Sequence, residues 1–342
     1  MKNFLVKNSK LNVDIDKNLI PFLNKTSKGT KYWDSPPKSE PSNFQFGRVL
    51  LQIHQILFLS NLLKIDLNNK NFLDVGTGNA MIPKLISEIA DTKESMGIDP
   101  YQDGEHQTSW QKHNHKKFLK KILNFFRKKG YYELNYNKYR KYLKQEQHIV
   151  KPETIKFKIK KGQNFSFKKI DINKTSKLNL KFDFIYCKAL EHISDYKSFF
   201  KQAGKCLKKG GYIYLKHRSF FSYLGAHRYS STGIPFGHVL LSEKEYIKYC
   251  KKFHTNRYEK MINFYFNDLS YPRHSVSQII KIANQEKLVM NLTLNEANKN
   301  IDKIFSKINK IKNFWDIVKR NFPDVSSEEL LSGMYHIVLK KK

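Results

Sequence analysis

Residues 71–100 constrain the fold more tightly than any other stretch of this chain. NFLDVG is a short apolar run that stops at Gly76. AMIPKLISEIA follows with helical spacing, and SMGIDP is a second apolar run that stops at Asp99. Apolar runs of this length bounded by glycine or proline predict strands, and the segment between them predicts an amphipathic helix. The same alternation returns later. KFDFIYC at 181–187 and GGYIYLKHR at 210–218 read as strands on either side of the helical stretch DYKSFFKQAGKCL. Strand alternating with helix predicts a parallel sheet buried under helices on both faces.

The rest of the chain is placed around this alternation. Residues 1–47 are polar and carry Pro21, Pro36, Pro37 and Pro41, which predicts a loosely structured arm. VLLQIHQILFLSNLL at 49–63 predicts a buried helix, with Arg48, Gln52 and Gln55 forming one wet edge. A third strand, FSFKKIDI, ends at Asp171. Beyond residue 270 the pattern predicts a helix over 274–286, the strand VMNLTLNE, one long helix and a last strand, MYHIVLKK. Ile301, Ile304, Phe305, Ile308, Ile311, Trp315 and Val318 would form a single apolar face on that long helix. Pro100 to Lys160 exceeds a normal crossover and reads as an insertion. It would hold one helix through Phe118–Phe126 capped at Gly130 and a second with Tyr132, Tyr136, Tyr139 and Leu143 on its stripe. The expected division is an N-terminal arm and helix over 1–70 and one domain over 71–342, with insertions at about 101–160, 219–240 and 296–330.

Composition excludes several classes. A 40% hydrophobic fraction with 25 Phe and 19 Tyr is too apolar for a disordered chain. Cys187, Cys206 and Cys250 are odd in number and far apart, which gives no disulfide framework and no paired metal ligands. The first residues lack a signal-peptide core, and the most apolar run is shorter than the roughly 20 residues that span a bilayer, so a cytoplasmic location is expected. The net charge of +33 would attract nucleic acid, an anionic membrane surface or phosphorylated substrates. Only 8 of the 63 basic residues are Arg, however, and the accompanying wealth of Asn, Ile, Phe and Tyr is what an AT-rich genome encodes. That makes codon bias the favoured origin of the charge and nucleic-acid binding the lesser reading.

FLDVGTGNA puts Gly76 and Gly78 at the end of the first strand, where missing side chains let a ligand lie against the backbone. Asp99, 23 residues after Gly76, ends the next strand, from which a carboxylate can accept both hydroxyls of a ribose. With these two segments and IDI, FDFIYCKALEHI and CLKKGGYIYLK in this order, residues 70–218 resemble the class I S-adenosylmethionine-dependent methyltransferases. The likeness is greatest to the subgroup with a Leu-Glu-His turn after strand four. The resemblance implies a Rossmann-like α/β fold: a doubly wound, mostly parallel seven-stranded sheet whose last strand runs antiparallel. It implies S-adenosyl-L-methionine as cofactor, with Asp74, Gly76, Gly78 and Asn79 around its methionine half and Asp99 on its ribose. Asp171 and Ile172 would face the adenine, and Lys188, Ala189 and Leu190 would line the end of strand four. Ala80 departs from the pattern, which has a glycine there, and its methyl group would have to fit between helix and sheet. A nicotinamide-dependent dehydrogenase with GxGxxG would need glycine where Met81 stands.

On the acceptor side, His192 lies one turn beyond the cofactor-lining residues. It could act as a general base near neutral pH, or it could cap and pack the following helix. RSFFSYLGAHRYSSTGIPFGHVLL, followed by a capping box at Ser242 and Glu245, reads as a substrate loop. His227 and His238 are further candidate bases, and His217, Arg228 and Tyr229 are candidate anchors for hydroxyl or anionic groups. Base-modifying nucleic-acid methyltransferases carry Asn or Asp, two prolines and an aromatic after strand four to grip a flipped base, and CKALEH stands there instead. DSPPK at 34–38 imitates that motif, but no apolar strand leads into it. The expectation is methyl transfer to a small-molecule or glycan acceptor, with oxygen as the acceptor atom. RNA and a methyltransferase-like binding protein without activity are the alternatives. No metal-ligand spacing occurs.

Overall fold

The computed structural model describes residues 43–342 except 79, 101–123, 125–130, 135–154, 159–163, 224, 226, 233, 255–256 and 299–300. In chain order, α1 (Asn43–Leu62) leads to β1 (Asn71–Val75), α2 (Met81–Ala90) and β2 (Glu94–Asp99). A two-stranded antiparallel ribbon, β3 (Tyr131–Leu134) with β4 (Ile155–Lys158), precedes β5 (Phe165–Lys169). Then come β6 (Phe182–Cys187), α3 (Tyr196–Cys206) and β7 (Leu207–His217). Short helices α4 (His227–Ser230) and α5 (Gly237–Leu240) lead into α6 (Glu243–Phe253), α7 (Tyr258–Asn263) and α8 (Val276–Gln285). β8 (Leu288–Ala297), α9 (Ile301–Ile308), α10 (Phe314–Asn321), α11 (Ser327–Leu331) and β9 (Ser332–Lys341) complete the chain.

Seven strands form one sheet in the order β5-β2-β1-β6-β7-β9-β8. The pairs from β5 to β7 are parallel, and β9 runs antiparallel to both of its neighbours. This is the expected Rossmann-like, doubly wound arrangement with its last strand reversed. All five residues of β1 are buried because helices cover both faces, and Phe72, Leu73 and Val75 supply its apolar contacts while Asn71 and Asp74 are buried polar groups. Phe72, Phe184, Tyr186 and Tyr214 face α1 and α2. Leu73, Ile185, Cys187 and Leu215 face α3 and α8. The order reverses at β1 and β6, which sets a crevice at the carboxyl ends of these two strands.

Several expectations are corrected. Gln55 is not on a wet edge: it is 2% exposed and bridges α1 to the sheet. Its amide donates to Glu296 Oε1 at 3.1 Å and its carbonyl accepts from Lys216 Nζ at 2.7 Å. His336 Nε2 lies 2.6 Å from Glu296 Oε1, and His336 Nδ1 is 2.7 Å from the Tyr214 hydroxyl. Buried polar groups must find partners, and these find each other. The single long helix near 301–318 is two helices, because Asn313 turns left-handed (φ 56°) and resets the phase. Ile304, Ile308, Ile311, Phe314 and Ile317 therefore meet the core, while Phe305 and Trp315 are exposed at 41% and 39%. Tyr132 sits in β3 rather than on a helix, since its segment pairs with Ile155–Lys158. Asp171 lies two residues beyond the end of β5 and caps a short 3-10 helix, Ile172–Leu178. The helix expected through 118–126, its cap at Gly130 and most of the N-terminal arm lie outside the described residues.

Candidate functional site

The turn after β1 is shaped by its own backbone. Gly76 has φ +69°, and a Cβ there would sit 2.5 Å from the Ala189 Cβ, so glycine is required both for conformation and for close approach. The Gly76 and Thr77 amides donate to the Ile98 carbonyl at 2.9 and 3.1 Å, which ties the turn to the end of β2. Ala80 also lies in the left-handed region, at φ 55°. A glycine at this point of the pattern answers a backbone need rather than a space between helix and sheet, and Ala80 bears the strain of its Cβ. Asn79 lies outside the described residues.

Two carboxylates flank this turn. Asp74 is 3% exposed and accepts from the Thr77 hydroxyl at 2.6 Å. Burial pushes its pKa up to about 7, Asp99 adds to the rise, and the Thr77 hydroxyl and Lys188 oppose it. Asp99 is 6% exposed, and its Oδ2 accepts from the Gly78 amide at 2.8 Å. A carboxylate has about four lone-pair sites and can accept several hydrogen bonds at once, which suits it to sugar hydroxyls. Ile172 is buried, and the Asp171 side chain accepts from the Asn173 amide at 2.7 Å. Lys188 and Ala189 are half-buried at the end of β6, and Leu190 is fully buried. Glycine backbone, an acidic group able to meet a cation and a carboxylate at the strand end suit a sulfonium nucleoside in their donor and acceptor chemistry.

The candidate histidines separate into different environments. His192 ends a 3-10 turn, Leu190–His192, and its Nδ1 lies 2.7 Å from the Asp268 carbonyl. A carbonyl only accepts, so Nδ1 carries the proton and the lone pair of the neutral ring is on Nε2. The His227 ring stands edge-on to it at 6.1 Å, and both pack on Phe264. His238 is not in an open loop. It is 5% exposed, its Nε2 donates to the Ser222 carbonyl at 3.1 Å, and burial lowers its pKa to about 4. His217 is 2% exposed, and burial lowers its pKa to about 4 as well. Arg228 and Tyr229 lie on α4, with side chains outside the described residues.

The expected substrate loop is itself a core. Phe220, Phe221, Ile234, Phe236 and Leu240 pack with α6, α9 and α10. A Cβ on Gly225 would strike the Ser219 carbonyl, and one on Gly237 would strike Thr232, so these glycines serve close packing. The capping box at Ser242 and Glu245 forms as expected.

His217, a candidate anchor from the sequence, meets side chains that the sequence did not single out at the crevice. Glu191, Tyr196, His217, Phe220, Ser270 and Arg273 line a small cavity beyond the end of β6. Arg273 stacks against Phe220 at 4.1 Å and Tyr265 at 4.5 Å, and it donates to the carbonyls of Ser270 and Tyr265. Glu191 stands inside the Leu-Glu-His turn, and Arg273 is one of only eight arginines, directly after Tyr271-Pro272. That scarcity was the one signal available for it.

A family model described as a methyltransferase domain matches residues 51–259, more than half of the chain. None of the curated proteins matches. Among solved structures, magnesium protoporphyrin IX methyltransferase from Synechocystis PCC 6803 with bound SAH is 11% identical, with 96% of this chain and 100% of that one covered and a TM-score of 0.44. An S-adenosylmethionine-dependent methyltransferase from Mesorhizobium loti is 10% identical, with 83% and 96% covered and a TM-score of 0.40. Another from Clostridium acetobutylicum is 13% identical, with 85% and 91% covered and a TM-score of 0.39.

Proposed function

This chain belongs to the methyltransferase domain family, and from that premise we propose that it transfers a methyl group to an oxygen of a small-molecule or glycan acceptor. The cofactor is S-adenosyl-L-methionine, which supplies an electrophilic methyl group on a sulfonium. On this reading Asp74, Gly76, Gly78 and Asn79 hold its methionine half, Asp99 its ribose, Asp171 and Ile172 its adenine, and Lys188, Ala189 and Leu190 the edge that faces the acceptor. Methyl transfer depends mainly on alignment of nucleophile, methyl and leaving sulfur, so positioning by these residues does much of the work.

The observation that carries the oxygen assignment is the His192 tautomer. Its Nδ1 proton is directed at the Asp268 carbonyl, so the lone pair that can accept a proton from an acceptor hydroxyl is on Nε2. The His227 ring stands edge-on beside it. His238, buried and engaged with Ser222, is assigned to packing and not to proton transfer. Among the described residues no helix is long and apolar enough to cross a membrane.

RNA is the second reading, favoured by the +33 charge. Transfer of a labelled methyl group to a metabolite and glycan extract, with RNA alongside, tests the proposal. Label in the metabolite or glycan fraction is expected. Label entering RNA alone would overturn it.

A further inference from the structure

The cavity beside the Leu-Glu-His turn is walled in part by polar groups that find no hydrogen-bond partner among the described residues. Its volume is about 10 Å³, room for one water-sized group. It is bounded by three separate segments: the turn after β6, the residues after β7, and the stretch before α8. Glu191 Oε2, both ring nitrogens of His217 and Arg273 Nε are buried without a hydrogen-bond partner. Tyr196 and Ser270, which complete the wall, are already bonded to each other at 2.9 Å. Leaving such groups unmet costs about 1–3 kcal/mol each, so a hydrogen-bonding occupant is favoured.

The chemistry of the walls selects that occupant. Glu191 offers an acceptor and Arg273 a donor, and the His217 ring can do either. A cation would meet a guanidinium that has no carboxylate partner, and an anion would meet the Glu191 oxygen. A neutral hydroxyl both donates and accepts, and it has the size of the space. The methyl ether formed by transfer would not fit, so this hydroxyl is an anchor and not the oxygen that is methylated. We propose that Glu191, His217 and Arg273 form a subsite for a second hydroxyl of the acceptor, which makes the acceptor a polyhydroxylated compound of the sugar or cyclitol class. This deepens the methyltransferase reading and rests on it. Leu190, proposed to line the cofactor, precedes Glu191, so an acceptor anchored here has its neighbouring oxygen close to the transfer site.

A site built to bond a hydroxyl rejects analogues that lack it far more strongly than an apolar pocket rejects a missing methylene. The test uses tritiated-methyl transfer to a panel of hexoses and cyclitols, their monodeoxy analogues and monohydric phenols. Calorimetry of the S-adenosylhomocysteine-loaded protein with the same sugars runs beside it. The expected result is transfer to a polyol, with a loss of kcat/KM of at least about a hundredfold for one particular monodeoxy analogue. Glu191→Gln should raise KM for the polyol at least about tenfold and erase the discrimination against that analogue, with S-adenosylmethionine affinity held within a few fold. His217→Gln, which keeps a polar group, should retain part of both. Transfer to phenols but not polyols would overturn the proposal. So would Glu191→Gln with unchanged KM and unchanged discrimination, which would make the cavity the seat of a structural water. Failure to bind S-adenosylmethionine at all is a separate outcome: it would remove the methyltransferase reading itself, and the subsite with it.

Discussion

Asp74→Asn isolates the electrostatics of the turn after β1. Burial raises the Asp74 carboxyl from 3.8 to about 7, a change of about three units. Each unit corresponds to 1.36 kcal/mol, so ionising this group in the folded protein costs up to about 4 kcal/mol more than in the unfolded chain. Because the folded pKa is raised, the stability contribution is fully present below pH 3.8 and is lost as pH rises through 7. Asn has the same shape, can still accept from the Thr77 hydroxyl and does not titrate. Cofactor-free Asp74→Asn should therefore match the wild type only below about pH 3.8, exceed it by roughly 1.6 kcal/mol at pH 5 and by about 4 kcal/mol at pH 7 and above, measured as urea unfolding free energies at pH 3, 5, 7 and 8. A cationic ligand favours the ionised carboxylate, so S-adenosylmethionine affinity should rise with pH between 6 and 8 in the wild type and stay flat in the variant. A stability difference that does not change with pH would refute the burial argument.

Further outcomes follow from the geometry of the turn, the histidines and the buried polar bridge. Ala80→Gly should stabilise the protein by about 0.5–1 kcal/mol in urea unfolding, the relief of a left-handed Cβ less the added entropy of glycine; a loss would mean that the methyl group packs. His238→Ala should cost about 2–4 kcal/mol of stability with little effect on turnover per folded molecule, whereas His192→Ala should lower turnover about a hundred- to ten-thousandfold with little change in melting temperature. Since the folded pKa of His238 is depressed to about 4, its share of stability is present above pH 6.5 and disappears as pH falls through 4, and His238→Leu should flatten the acid limb of the stability profile. Gln55→Leu strips partners from buried Lys216 and Glu296 and should cost about 1–3 kcal/mol, part of which Lys216→Met in the same chain should recover.

The sheet was legible because parallel strands covered on both faces are predominantly apolar, and NFLDV, FDFIYC and GYIYL show it despite Asn71, Asp74 and Asp183. The cofactor turn was legible for a similar reason: Gly76, Gly78 and Asp99 act through backbone conformation and strand ends, which are local properties. What escaped was set by tertiary packing. Residues 219–240 carry Gly, Ser and Pro and read as a loop, yet Phe220, Phe221, Ile234 and Phe236 drew them into a core shared with α9 and α10. No Pro or Gly marks the break at 309–313, where Asn313 takes the left-handed turn that removes Trp315 from the buried face. Glu191, His217 and Arg273 converge from three distant segments, and no spacing rule brings them together.

Calorimetric titration with S-adenosylmethionine, against NAD and against Asp99→Ala, tests most directly whether the turn after β1 is a sulfonium-nucleoside site. Charged hydrogen bonds to a ribose are worth about 1.5–3 kcal/mol, a ten- to hundredfold effect on affinity. The wild type should bind S-adenosylmethionine in the micromolar range and bind no NAD, and Asp99→Ala should weaken the first by about that factor. Binding of NAD without S-adenosylmethionine would contradict the account, and unchanged affinity in Asp99→Ala would remove Asp99 from the site.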